Sequence, residues 1–118
     1  MSWKNVFAKG QELVLATCSK NCQPHANLVI SLGFVGKKLL IADCQMKTTL
    51  KNLKESSLVC IVAKKKGEYY RLKGKAVIYS AGKYFDLCNG AGEDYPAKNA
   101  ILVSIKEVFD LDKVKKIL

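Results

Sequence analysis

Proline is scarce in this chain, with two in 118 residues, and there is one histidine and one tryptophan. So little proline excludes a polyproline recognition segment or a proline-rich spacer. A single histidine, His25, leaves few options for a serine or cysteine nucleophile, which needs a neighbouring base. Acid is also short: 10 Asp and Glu stand against 20 Lys and Arg, a net charge of +10. No carboxylates pair at a spacing suited to acid–base work. Asp43 stands alone, Glu93 and Asp94 fall in an expected loop, and Asp110 and Asp112 lie near the C-terminus. Unaided side-chain catalysis is therefore a poor prospect, and any reaction would be carried by a cofactor. No apolar run approaches the roughly 18–20 residues of a membrane span. Met1–Asn5 is not followed by the apolar stretch of a signal peptide. The expectation is a cytoplasmic protein with no membrane association.

The five cysteines, Cys18, Cys22, Cys44, Cys60 and Cys88, do not make a pattern either. An odd count argues against a secreted disulfide scaffold. The nearest pair, Cys18 and Cys22, is four apart with no second pair after it, which does not match the usual zinc spacing. Reduced thiols and no metal are expected.

What is present is enough apolar residue, 49%, to build one core, and the length suits a single domain over residues 1–118. Residues 2–7 suit a short amphipathic helix ending near Gly10. The apolar runs that follow are short and rich in β-branched residues, which predicts strands at Leu13–Thr17, His25–Phe34 and Leu39–Ala42, arranged as an antiparallel meander. Pro24 cannot donate to a ladder and suits a strand's first position. His25 just after it reads most simply as a polar strand-start residue. Thr48–Glu55 changes to a helical period, with Leu50 and Leu53 on one face and Lys47, Lys51 and Lys54 on another. Leu58–Ala63 is predicted as a buried strand. From Tyr70 to Tyr79 strict alternation sets Tyr70, Leu72, Gly74 and Ala76 against Arg71, Lys73, Lys75 and Val77. Residues 82–89 suit a second short helix, stopped by Gly90 and Gly92, and Ile101–Phe109 closes the chain as a strand. About six antiparallel strands with short connections must protect their edges, and a small barrel does so economically.

The chemistry-bearing stretch is Met46-Lys47-Thr48-Thr49-Leu50-Lys51-Asn52-Leu53. A helix start concentrates free N–H groups and positive partial charge, and sequences commonly place an acid there. Here the first acid is Glu55, at the far end. Lys47 and the Thr48 and Thr49 hydroxyls stand in its place, which suits an external anion, most naturally a phosphate. Ordinary N-capping by Thr48 with solvated lysines is the competing reading.

These segments, in this order, resemble the small FMN-binding split-barrel proteins of the pyridoxamine 5′-phosphate oxidase-like family. Thr17 to His25 is similar to the family's opening hairpin, although Cys22 and Gln23 occupy a turn where glycine is frequent. Asn27–Phe34 resembles the strand along the flavin ring, and Met46–Leu53 the segment that holds the FMN phosphate. Arg71–Ala76 resembles the long fifth strand, and Tyr95–Lys98 the closing segment. The resemblance implies a mainly β fold, a six-stranded antiparallel split barrel. It further implies FMN bound at a homodimer interface and an oxidoreductase or electron carrier working with a small-molecule or protein redox partner. By the same resemblance Lys47, Thr48 and Thr49 would contact phosphate, with Asn52 supporting the turn or the ligand and Met46 a further cofactor-binding residue. Leu28, Val29, Ile30 and Ser31, with Asp43, Cys44 and Gln45, would meet the ring. Tyr95 and Pro96, with Tyr69 and Arg71, would reach across from the second subunit. Related families bind heme or a deazaflavin, which keeps those ligands as alternatives. A basic β-barrel binding nucleic acid is the alternative from another class, resting on Lys64-Lys65-Lys66, Lys73 and Lys75 near Tyr69 and Tyr70. Against it stands the single arginine, since arginine is favoured for stacking and bidentate phosphate contacts.

Overall fold

The computed structural model describes residues 3–43, 46–89 and 97–118. A 3-10 helix at Trp3–Phe7 leads into β1 (Glu12–Cys18), β2 (Pro24–Val35) and β3 (Lys38–Asp43). After α1 (Thr48–Glu55) come β4 (Leu58–Lys65), β5 (Glu68–Tyr79), α2 (Lys83–Asn89), β6 (Asn99–Asp110) and a two-residue β7 (Lys115–Lys116). The strand order is β3-β2-β1-β4-β5-β6-β7, and β3 also pairs with β6. That extra pairing, six rungs from Lys38–Ser104 to Asp43–Asn99, closes six antiparallel strands into the expected barrel. The small strand β7 was not foreseen. Lys115 and Lys116 carry no apolar signal, and they pair at the edge with Asp110 and Phe109 through the backbone.

Local sequence explains the connections. Pro24 opens β2, as a residue without an N–H should. Gly36, at φ 62°, makes the β2–β3 hairpin turn in a conformation that other residues resist. Along β1 and β5 alternate side chains point inward, so Leu13, Leu15, Tyr70, Leu72 and Ala76 are buried while their neighbours face out. Ile41, Ile61, Ile101, Val103 and Val108 complete the barrel interior, and Val6 and Phe7 of the 3-10 helix pack against it. Each fully buried Leu, Ile or Phe contributes about 1.5–3 kcal/mol, so this interior dominates the stability.

The outer surface of the barrel is treated in two ways. Against β3 and β6 it is covered: Leu40 and Leu102 point outward and pack with Cys88 of α2, Ala97 and Ala100 in a second apolar cluster. Strand β4 differs from expectation. Its apolar run predicts burial on both faces, yet Leu58 is 61% exposed and Val62 38% exposed, while Val59, Ile61 and Ala63 are buried. A continuous apolar run records two apolar faces; it does not say whether the chain itself covers both. Among the described residues no helix is long and apolar enough to cross a membrane.

Gly74 sits where β5 and β6 shift register, between Lys73 and Gly74. A Cβ there would collide with the Ser104 carbonyl oxygen, which belongs to backbone and cannot turn aside. Gly74→Ala is therefore expected to lower stability by about 3 kcal/mol, as overpacking against a fixed neighbour does. Urea unfolding measures it; a midpoint equal to that of the parent protein would contradict this packing.

Candidate functional site

The end of the barrel beneath α1 is organised by Asp43, the last residue of β3 and fully buried. One carboxylate oxygen accepts from the Met46 backbone N–H at 2.7 Å and the other from the Asn99 side-chain amide at 2.8 Å. Its backbone carbonyl accepts from the Lys98 N–H at 2.7 Å. A single residue thus ties β3, the start of β6 and the approach to α1.

Two further hydrogen bonds seat α1 on the barrel. The Thr49 hydroxyl donates to the Asn27 side-chain oxygen of β2 at 2.5 Å. The Asn52 amide donates to the Thr17 hydroxyl of β1 at 3.0 Å. Thr17, Thr49 and Asn52 are all buried, so these bonds satisfy polar groups that would otherwise be stranded. Leu53 adds the apolar contact. Lys47, not Thr48, occupies the N-cap position, and it makes no side-chain capping bond. The first turn holds no acid. The helix therefore begins with neither of the two groups that usually compensate its N–H ends, and Lys47 and Thr48 are exposed beside it.

A cavity of about 500 Å³ lies between α1 and the β1–β2 turn. From α1 it is lined by Thr48, Lys51, Asn52 and Glu55, which recur at helical spacing on one face. From the turn it is lined by Lys20, Gln23 and His25 among others. Its volume falls within the range of small-ligand sites, and two lysines face one acid, which favours an anionic occupant.

A second feature occupies the outer sheet surface. Ladder pairing sets Leu28, Val14, Val62, Arg71 and Phe109 in one row across five strands. Leu28 is 73% exposed, and Val14, Val62 and nearby Ile30 are exposed too. The Arg71 guanidinium lies 4.9 Å from the Phe109 ring centroid, and its Nε is buried without a hydrogen-bond partner among the described residues. The row is apolar on β2, β1 and β4, with Arg71 and Phe109 at its far end.

The structure thus gathers Asp43, Met46, Lys47, Thr48, Thr49 and Asn52 at one end of the barrel. Leu28 and Ile30 face outward from β2, and Val29 faces the core. Ser31 lies toward the other end, where its hydroxyl donates to the Phe7 carbonyl and accepts from the Gly33 N–H. Tyr69 and Arg71 are on the outer side of β5 and do not line the α1 cavity. Cys44, Gln45, Tyr95 and Pro96 lie outside the described residues. Sequence reasoning passed over His25, Lys20 and Lys51 as cavity residues. Lys51 had a signal, four residues after Lys47 on the basic face of the helix. His25 had none beyond being the chain's one histidine.

The hydrogen bonds separate residues that build this end from residues that face solvent. Asn52→Ala strands the buried Thr17 hydroxyl and is expected to cost about 1–3 kcal/mol. Lys47→Ala removes an exposed side chain and should move stability by no more than about 0.5 kcal/mol. Thermal or urea unfolding of both variants decides it, and equal losses would refute the distinction.

Several solved proteins share this architecture. HupZ of Group A Streptococcus superposes with a TM-score of 0.87 at 18% identity, over 98% of this chain and 95% of that one. An FMN-binding protein of Syntrophomonas wolfei subsp. wolfei gives 0.71 at 14%, over 91% and 80% of the two chains. An F420 reductase gives 0.71 at 16%, over 92% and 96%. At such identities the likeness is one of fold. No curated protein matches the sequence. The sequence model of the pyridoxamine 5′-phosphate oxidase family, however, matches residues 3–112. With nearly the whole chain matched and the barrel closed as described, the protein belongs to the pyridoxamine 5′-phosphate oxidase family.

Proposed function

We propose that this protein binds FMN between two copies of itself and serves as an oxidoreductase or electron carrier for a small-molecule or protein redox partner. The observation that carries the reading is the start of α1: uncapped, free of acid, flanked by exposed Lys47 and Thr48, and adjoining a cavity with Lys20, Lys51 and His25. These groups fit a phosphate, which accepts from N–H, hydroxyl and ammonium donors at once. Thr49 and Asn52 use their side chains internally, so their part is to hold the helix start in place. A bound flavin would supply the electron transfer.

The shared site draws its support from the exposed row on β2, β1 and β4. A barrel with its own core has little surface left to enclose a ring system, and a two-fold partner would cover Leu28, Val14 and Val62 with the same patch. Arg71 Nε would then find an acceptor on the ring or on the second copy, and Tyr69, Tyr95 and Pro96 would reach the neighbouring pocket. Leu28, Val29 and Ile30 would present backbone to the ring edge, with Asp43, Cys44 and Gln45 beside it; Ser31 is excluded from this role, since its N–H and carbonyl are already bonded to Gln11 and Gly10.

The first test is the visible spectrum of freshly purified protein. Flavin absorption is expected, whereas a Soret band or a deazaflavin spectrum would replace FMN with another ligand. Lys47→Ala should weaken FMN by roughly 10- to 150-fold, the equivalent of one charge-assisted contact of about 1.5–3 kcal/mol. Unchanged affinity by fluorescence titration would remove Lys47 from the site. Leu28→Glu places a charge in the apolar row and should yield a monomer by sedimentation with FMN affinity lost alongside. A flavin-loaded monomer would sink the shared site.

A further inference from the structure

The β1–β2 turn carries two thiols that the flavin reading leaves without a role. Cys18 ends β1 and pairs with Pro24 across the ladder. Cys22 lies two residues before Pro24, in a turn held by Ser19 N–H to Gln23 carbonyl at 3.1 Å and Cys22 N–H to Ser19 carbonyl at 2.9 Å. The Ser19 hydroxyl accepts from the Asn21 and Gln23 N–H groups as well, which makes the turn rigid. Within it Cys22 adopts φ 63°, a left-handed conformation that glycine or asparagine holds at less cost. A thiol is thus kept where the backbone would prefer another residue, and it is exposed. Cys18 is half-buried on the strand that leads into the same turn, next to Ser19, whose N–H and carbonyl both hold that turn closed. No group of three His, Cys, Asp or Glu among the described residues could hold a metal ion.

We propose that Cys18 and Cys22 form a redox-active dithiol, oxidised by hydroperoxides to a disulfide that closes the β1–β2 turn. Cys22 is the attacking thiol because it is exposed. Burial, and then the neighbouring Cys22, push the Cys18 thiol up from its ordinary value, which disfavours Cys18 as the attacking thiolate. The Cys22 thiolate attacks the hydroperoxide's terminal oxygen, the O–O bond breaks, and an alkoxide leaves and takes a proton from water. The Cys22 sulfenic acid is then attacked by Cys18 sulfur. The S–S bond forms, the S–O bond breaks, and hydroxide leaves as water with the proton from Cys18. Two thiols are oxidised and one hydroperoxide is reduced to an alcohol. The bridge would span only the short turn, so it constrains little chain and remains easily reducible, as suits a reversible modification. The same turn supplies Lys20, Gln23 and His25 to the cavity beside α1, so closing it alters that cavity's wall. None of this depends on which cofactor the barrel holds.

Trypsin cuts after Lys20 and so places the two thiols on separate peptides, residues 10–20 and 21–37. After a mild hydroperoxide pulse on the full-length protein, the intact mass should fall by two hydrogens, those peptides should be linked, and dithiothreitol should reverse both. Cys18→Ser should accumulate a Cys22 sulfenic acid that dimedone traps, at least about tenfold faster than any adduct on Cys60. The resonance of the one histidine, His25, should move on oxidation of the parent protein and stay fixed in Cys22→Ser. A bridge from Cys18 to Cys60, which line one recess, would overturn the assignment. So would an intermolecular bridge, or trapping at Cys22 no faster than at Cys60. An unmoved His25 signal in the bridged protein would overturn the link to the cavity.

Discussion

The pairing of β3 with β6 is the constraint on which the rest of this molecule depends. Without it β3 and β6 would both be open edges. With it, inward side chains from six strands meet in a closed interior, and β3 and β6 protect each other's edges. Asp43 turns that closure into site geometry. It is both the last rung of the β3–β6 ladder and the acceptor for Met46 and Asn99, so the register of the barrel also fixes where α1 begins.

The helix in turn is held by polar contacts as well as by Leu50 and Leu53. Thr49 to Asn27 and Asn52 to Thr17 are specific in direction, so they set α1's orientation as well as its location. That orientation leaves Thr48, Lys51, Asn52 and Glu55 facing the β1–β2 turn. A helix seated only by leucines could roll, and its open N–H groups would then have no defined direction.

The two outer surfaces of the barrel carry the contrast that matters for assembly. Where α2 lies, outward Leu40 and Leu102 are buried by the chain itself. Across β2, β1 and β4, outward Leu28, Val14 and Val62 remain exposed among the described residues. The same alternation rule produced both faces, and only what packs on them differs. Arg71 stands at the margin of the open face, with its Nε buried and without a hydrogen-bond partner among the described residues.

Much of this was legible in the residues. The alternation of β5, the hairpin at Gly36, Pro24 as a strand's first residue and the acid-free helix start all follow from local rules, because period, φ preference and missing charge act over a few neighbours. Strand Leu58–Ala63 was legible as a strand and misleading as a buried one, since burial of its second face depends on what lies over it. The partners of Thr49 and Asn52 were not legible, because they lie 22 and 35 residues away and a hydrogen bond across that span has no local signature. Nor was the proximity of His25 and Lys51. By itself the sequence determined the main elements and the acid-free start of α1. Only the tertiary structure decided which polar groups are consumed inside the barrel and which remain open, because that choice depends on closure, and closure joins residues remote in the chain.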